Sequence, residues 1–478
     1  MNFKMIKFTL GWILLFEAAF FLVPMITAAA YLESAFFAFL LPSVICLALG
    51  GLLIYKRPKN TVLYAREGFI IVSMSWIVLS LFGSLPFMLS GCTDRFIDAL
   101  FETASGFSTT GASIFAEVES LPKSILMWRS FTHWVGGMGV LVFVMAFLPL
   151  SGGQNMHIMR AESPGPDVSK LVPRVKNTAI ILYCIYLGLT VLQFIVMLIS
   201  GMSVFDSLNT AFATAGTGGF GFKNDSFAST TAAQQIIVTV FMLIFSINFN
   251  AYYLILKTKF RDSFNAEIKV FLSVVAAAII LITINIHSSY GSIWEAMRHA
   301  AFTVASLVST SGFSTENFDI WPELSKLILL FMMFMGACAG STGGGIKVSR
   351  IIILFKGYIR ELNTLIHPKQ VKKITIDSRP VESQVVKSVS AYIVCYIMVF
   401  AVSLLVISFD NHSFATNFTA VTATINNIGP GFDGVGPAMN YAFFSPLSKI
   451  TLIFNMLAGR LELFPMLILF SPATWKKY

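Results

Sequence analysis

The sequence predicts an all-α polytopic membrane protein, and three observations carry that prediction. Of the 478 residues, 56% are hydrophobic and only 12% are charged, with a mean hydropathy of +0.77; a soluble globular domain carries about 25% charged residues. Apolar runs of about 20 residues, long enough to cross a bilayer, follow one another along the whole chain. The Lys and Arg residues behind the net charge of +9 are gathered in a few loops between those runs. That is the pattern of cytoplasmic loops and not of a nucleic-acid surface. The expected partner is therefore the lipid bilayer and no nucleic acid. Five cysteines (Cys46, Cys92, Cys184, Cys338, Cys395) form no CxxC pair and mostly sit in apolar runs, so neither a disulfide framework nor a zinc site is expected.

Residues 1–60 hold two extra N-terminal spans. The run 8–30 follows Lys4 and Lys7 and ends in three alanines, as a signal peptide does. It exceeds the usual apolar core of about 7–15 residues, so it reads as a retained span. The run 35–55 is the second. Lys56, Arg57, Lys59 and Arg66 then mark a cytoplasmic loop, which places the N-terminus on the same side.

Four repeat units follow, at 61–150, 151–260, 261–365 and 366–478. Each reads as an outward span, a short helix-like segment, a glycine break and a return span. The short segments are expected at 96–105, 205–215, 294–308 and 414–424, and they run through the recurring stretches TASGFSTTGAS (103–113), TAFATAGTGGFG (210–221), ASLVSTSGFST (305–315) and TAVTATINNIGPGF (419–432) into the breaks. The aligned glycines, Gly111, Gly219, Gly312 and Gly429, recur at roughly hundred-residue spacing, the mark of an internal repeat. The return spans, at 125–148, 235–256, 324–355 and 447–470, echo each other as well: Trp321-Pro322-Glu323-Leu324-Ser325-Lys326 resembles Ser445-Pro446-Leu447-Ser448-Lys449.

Charges agree with this map. Arg160, Lys170, Arg174 and Lys176 follow unit one, Lys257, Lys259 and Arg261 unit two, and Lys347, Arg350, Lys356, Arg360, Lys372 and Lys373 unit three; Lys476 and Lys477 close the chain. Asp94, Asp98, Glu117, Glu119, Asp225, Glu316, Asp319, Glu323 and Asp433 lie on the other side, as acidic mouths. The expected topology is ten spans with four re-entrant segments and both termini in the cytoplasm.

Non-helical backbone at membrane depth survives only where protein buries it or water lines it. Four such breaks around a pseudo-fourfold axis would bring the negative ends of four short helices to one centre. The extended backbone beyond each helix would add rings of carbonyl oxygens, which replace the hydration shell of a cation such as potassium. Glycine suits the break because it adopts φ > 0 and lets four chains approach closely. The candidate ring comprises Thr109, Thr110 and Gly111; Thr217, Gly218 and Gly219; Thr310, Ser311 and Gly312; and Asn427, Ile428 and Gly429. Potassium is the expected ion at Thr110, Gly111, Gly218, Gly219, Ser311, Gly312, Ile428 and Gly429.

These span–pore-helix–span units resemble the Trk/Ktr/HKT superfamily of potassium transporters over essentially the whole chain. The two extra spans, the stretch RAESPGP (160–166) with Pro173 and Arg174, and HWVGGMG (133–139) resemble its bacterial TrkH/TrkG branch. The resemblance implies that Gly111, Gly219, Gly312 and Gly429 are selectivity-filter glycines. Gly111, where sodium-preferring members tend to carry Ser, favours potassium. The second loop offers two glycines, Gly218 and Gly219, and its register stays open. The fourth lacks a hydroxyl just before Gly429. The resemblance further implies a homodimer in the bacterial cytoplasmic (inner) membrane and a cytosolic RCK-type regulatory subunit that binds NAD, ATP or ADP.

The third return span is interrupted at Gly336-Ala337-Cys338-Ala339-Gly340-Ser341-Thr342-Gly343-Gly344-Gly345-Ile346-Lys347. Each glycine weakens a helix by about 1 kcal/mol relative to Ala, so a continuous helix is not expected. A phosphate loop is excluded because Ile346 stands where GxxxxGK[ST] needs Lys. The segment, with Gly340, Ser341, Thr342, Gly343, Gly344 and Gly345 at its heart, resembles the family's gating loop. Arg460, expected in mid-span of the fourth return helix, is costly there and a functional candidate by default. The resemblance also places an Arg at that position; pairing with Glu462 or with loop carbonyls is the plainer alternative. Arg129 and His133, four apart on one face, are expected to pack or pair locally. Lys326 and Lys449 are expected to snorkel, and Glu102 to accept hydrogen bonds from freed amides.

No Ser/His/Asp, Cys/His or metal-ligand constellation appears, and no nucleotide motif, so the chain is expected to be neither an enzyme nor the nucleotide binder. The expected function is potassium uptake through a selective, gated pore. The alternatives are a potassium–proton or potassium–sodium symporter, or the channel-like subunit of an ATP-driven pump.

Overall fold

A computed structural model describes residues 1–60, 63–139, 175–258, 263–369, 373–377 and 379–476, without the side chains of 175–178. The basic stretch 160–174, with Lys259, Arg261, Lys372 and Lys477, lies outside the described residues, as does the first return span beyond 139.

The chain is mostly helical. α1 (Phe3–Phe20) and α2 (Leu22–Ala30) run into α3 (Phe36–Ile54). Next come α4 (Ala65–Gly83), α5 (Leu85–Leu89), the short α6 (Phe96–Phe107) and α7 (Lys123–Gly137). The same succession recurs as α8 (Val175–Ile199), α9 (Val204–Ala215), α10 (Ala232–Ser246) and α11 (Phe249–Leu256). It recurs again as α12 (Ala266–Ile286), α13 (Ile293–Ser309), α14 (Glu323–Met335) and α15 (Val348–Ile366). A small hairpin of β1 (Thr375–Ile376) and β2 (Arg379–Pro380) leads to α16 (Ser383–Ile407), α17 (Phe414–Ile425), α18 (Pro446–Arg460), α19 (Phe464–Phe470) and α20 (Pro472–Trp475).

Local sequence signals set the short helices. Ser203, Ser292 and Ser413 cap α9, α13 and α17 by accepting from the amides of Asp206, Glu295 and Thr416. Thr231 and Gln234 form a reciprocal capping box at α10, and Pro446 opens α18. Buried aromatics seat α6 and α7: Phe107 and Phe21 pack on Trp128, whose indole N–H donates to Gly83 O at 3.0 Å.

Among the described residues, six helices are long and apolar enough to cross a membrane: Phe3–Ala30, Phe36–Ile54, Ala65–Leu89, Ala179–Ile199, Ala266–Ser289 and Ser383–Asp410. The expectation of continuous return spans needs correcting for the second and fourth, while the third breaks where its glycines predict. The return helices α7, α10, α14 and α18 contain only 15, 15, 13 and 15 residues. At 1.5 Å per residue that is about 20–23 Å, short of a bilayer core of about 30 Å. α10 meets α11 at a 91° bend. α14 stops at Gly336, whose φ is +66°. α18 stops before Glu462 and Leu463, both left-handed. Pro465 was the overlooked signal here: without an N–H it cannot bond back to Leu461 O, so a straight helix cannot pass. Arg460 is therefore the last residue of α18, at a chain break, and not in mid-helix.

Candidate functional site

The four short helices end in the same way. Thr109, Thr217, Thr310 and Asn427 adopt left-handed backbone (φ 57°, 54°, 63° and 56°). Their amides donate three residues back, to Gly106, Thr214, Leu307 and Thr424. The next amides, of Thr110, Gly218, Ser311 and Ile428, each donate five residues back at 2.9 Å. This pair of bonds is a Schellman exit, made here with β-branched Thr at three of the four left-handed positions. Such backbone costs about 1–2 kcal/mol per residue and is strain of the kind held at functional sites.

The following residue is Gly111, Gly219, Gly312 or Gly429, with φ of 79°, 78°, 77° and 99°. The second loop's register is thereby fixed at Gly219. A methyl group on Gly111 would fall 1.9 Å from Gly218 O; on Gly219, 1.7 Å from Ser311 O; on Gly312, 2.0 Å from Ile428 O; on Gly429, 2.8 Å from Thr110 O. Each glycine thus backs onto the carbonyl ahead of the next glycine, and the fourth returns to the first. The four chains form a closed ring, and all four glycines line a single cavity of about 120 Å³. Asn427 stands where the other loops carry a threonine; its amide nitrogen donates to Thr110 Oγ1 (2.9 Å) and Met456 O (2.8 Å).

Each junction of the ring has its own brace. Between units one and two, the buried Arg129 donates from Nε to Glu102 Oε1 (2.8 Å) and from Nη1 to Gly221 O (2.9 Å). Glu102 also accepts from Ile114 N (2.9 Å) and Ser113 Oγ. His133 accepts from Phe220 N at Nε2 (3.2 Å), which leaves Nδ1–H to face Gly106 O at 2.8 Å. Phe227 N donates to Ser314 O (2.9 Å) between units two and three, and Asp433 N to Asp319 Oδ2 (3.1 Å) between three and four. Units four and one meet where Tyr441 N donates to Ser113 O (2.8 Å) and its hydroxyl to Gly429 O (2.7 Å).

There too Lys449 reaches Asp98 at 2.5 Å with its side chain only 3% exposed. Lys449 does not snorkel. No carboxylate is among the described residues that line the cavity, where Arg129 and Lys223 are the charged groups. Asp98, Glu119, Asp319 and Asp433, expected on the acidic side, make bonds that brace the loops.

Two expected outcomes follow. Glu102→Ala leaves Arg129 and the Ile114 amide buried without their acceptor, and should cost about 3–5 kcal/mol, read as a large fall in Tm of the purified protein. Hydrogen bonds from Ser413 and Thr416 hold the Asp433 carboxyl below the usual aspartate range. Its stabilising effect is therefore complete above about pH 4, the ordinary aspartate value, and is lost as pH falls through the lower folded value. The Tm difference between wild type and Asp433→Asn should shrink only below that pH.

Beneath the ring lies the segment from Gly336 to Lys347. Gly344 N donates to Thr310 Oγ1 (2.7 Å) and Gly345 N to Asn426 O (3.1 Å), so the loop hangs directly on two of the helix exits. Gly344 passes so close that a methyl there would sit 2.3 Å from Asn426 O, and one on Gly343 would sit 2.8 Å from Ser309 O. Cys338 N donates to Ser246 O (3.0 Å), Thr342 Oγ1 to Phe245 O (3.1 Å), and Phe249 N to Gly340 O (3.0 Å), which ties the loop to the bend between α10 and α11. Ser341 turns inward to Cys338 O.

Arg460 spans this loop and the end of α7: Nη1 donates to Thr342 O (2.6 Å), and Nη2 to Gly136 O (2.6 Å) and Gly137 O (2.5 Å). The Gly136 and Gly137 carbonyls are ones that a helix C-terminus leaves without intrahelical donors. Glu462 is bound by Arg350, and of the two plainer partners expected for Arg460 the loop carbonyls are the ones it meets. Arg350 also lies 3.9 Å from the Tyr392 ring centroid. Lys347, expected in a cytoplasmic loop, is buried and donates to Gly343 O.

Residues 35–477 match the profile of the TrkH family, described as cation transport protein. The chain is 37% identical to the Trk system potassium uptake protein TrkH of Escherichia coli (strain K12) over the full length of both. It is 32% identical to TrkG of the same organism over 95% of each. Its fold superposes on the crystal structure of the potassium transporter TrkH from Vibrio parahaemolyticus with a TM-score of 0.90, at 33% identity and covering all of both chains.

Proposed function

Because the chain belongs to the TrkH family of cation transport proteins, we propose that it takes up potassium through a selective, gated pore formed by four repeats, 61–150, 151–260, 261–365 and 366–478. The observation that carries this reading is the closed ring, in which four positive-φ glycines each face the carbonyl ahead of the next and share one cavity. Such a ring offers backbone carbonyl oxygens that replace the ion's hydration shell. Potassium enters here as cargo, held at the backbone of Thr110, Gly111, Gly218, Gly219, Ser311, Gly312, Ile428 and Gly429. The loop from Gly340 to Gly345 is the gate, and Arg460 is its positive barrier and tether. The full assembly is a homodimer in the bacterial inner membrane with both termini in the cytoplasm and a cytosolic nucleotide-binding subunit that drives the gate.

The reading is favoured over symport by the carboxyls. Glu102 and Glu462 are paired with Arg129 and Arg350, and Glu267 accepts from two backbone amides, so these carboxyls serve structure and not a proton relay. The test is gradient-driven flux in liposomes holding only this chain. Wild type should pass potassium in preference to sodium and reverse at the potassium Nernst potential at every pH. A flux that follows an imposed proton gradient would replace the pore with a symporter.

A further inference from the structure

Glu267 lies in the first turn of α12, far from Gly336–Lys347 in sequence and absent from every motif above. Its side chain is buried, and its Oε1 accepts from two amides at once: Ala339 N at 2.7 Å and Ser349 N at 3.1 Å. These amides bracket the glycine-rich segment 340–348, Ala339 on the way in and Ser349 in the first turn of α15 on the way out. One carboxyl oxygen therefore closes the neck of the loop.

The post that carries it is fixed. Asn265 caps α12 by accepting from Ile268 N (3.0 Å), and Ala266 N donates to Asp377 Oδ1 in the β1–β2 turn (2.9 Å). The loop is the pliant side, with left-handed Gly340 and Gly345 between the two clamped amides.

We propose that Glu267 is the clamp of the gate: its single carboxyl oxygen holds both ends of the glycine loop, and the loop leaves the ring only when one of those two bonds breaks. The role is that of a positioning residue, since Glu267 does not touch the ion path. It rests on the reading of this loop as the gate, so the test measures loop movement and ion flux separately. Cys338, fully buried within the loop, reports movement. In full-length protein in liposomes, with Cys46, Cys92, Cys184 and Cys395 replaced by alanine, the rate of Cys338 modification by N-ethylmaleimide is read beside potassium flux.

Glu267→Ala removes the acceptor of two bonds. It should speed both Cys338 modification and flux by about tenfold or more, with the potassium-over-sodium ratio unchanged. Glu267→Gln keeps an acceptor oxygen and should restore most of the protection. Ser349→Pro removes one donor at a helix position that tolerates proline, leaves Glu267 intact, and should act in the same direction; it serves if the alanine variant fails to fold. Faster modification with unchanged flux in Ser349→Pro, which keeps the Glu267 charge beside the thiol, upholds the clamp and overturns the gate reading. Unchanged modification in a folded Glu267→Ala or Ser349→Pro protein overturns the clamp, and a rise in flux from Arg460→Ala in the same vesicles then shows that the gate reading survives it.

Discussion

Gly111→Ser is expected to lower the potassium-over-sodium preference of flux by at least about tenfold while leaving a folded, membrane-inserted protein. The added Cβ would lie 1.9 Å from Gly218 O. Backbone on both sides of that contact must move, because no flexible side chain is available to give way. The left-handed φ of 79° adds about 1–2 kcal/mol of strain for any L side chain. The ring cannot confine that movement to one loop, since each glycine rests on its neighbour's carbonyl. Gly219→Ala, with a contact of 1.7 Å to Ser311 O, should do the same. Gly201→Ala is the control: its φ is 86°, yet nothing lies within 4 Å of the added methyl. Strain alone should leave ion preference intact there. Retained preference in Gly111→Ser, measured in sodium- and potassium-gradient liposomes, would refute the assignment of the ring as the filter.

Arg460→Ala is expected to raise flux through the isolated chain by about tenfold or more. The guanidinium donates to Thr342 O in the loop and to Gly136 O and Gly137 O at the end of α7. Hydrogen bonds from a charged group contribute about 1.5–3 kcal/mol each, so their removal frees the loop at Thr342. It also takes a positive charge from beneath the ring. Arg460→Lys should restore closure only in part, because an ammonium is a point charge and lacks the planar fork that reaches several carbonyls together. The readout is potassium flux with the regulatory subunit absent. A fall in flux would show that Arg460 serves assembly of the pore and does not close it.

The short helices are legible because their signals are local. Ser203, Ser292 and Ser413 announce their starts, and a glycine follows each exit. The sequence places them at 96–105, 205–215, 294–308 and 414–424; the structure has Phe96–Phe107, Val204–Ala215, Ile293–Ser309 and Phe414–Ile425. The breaks in the return helices are legible where glycine or proline marks them, as at Gly336 and ahead of Pro465. At Ile247–Asn248 the chain turns without either.

By itself, then, the sequence determines the membrane-spanning character, the four recurring helix–glycine stretches and the break in the third return helix, since hydropathy and glycine spacing act over a few neighbouring residues. Only the tertiary structure decides that Gly219 and not Gly218 closes the ring, that Lys449 pairs with Asp98, that Glu462 serves Arg350, and that Glu267 holds the loop. Those partners lie from about seventy to several hundred positions apart along the chain. Burial in a medium without water favours partners for buried charges and freed amides, and which partner each finds depends on how distant segments pack together.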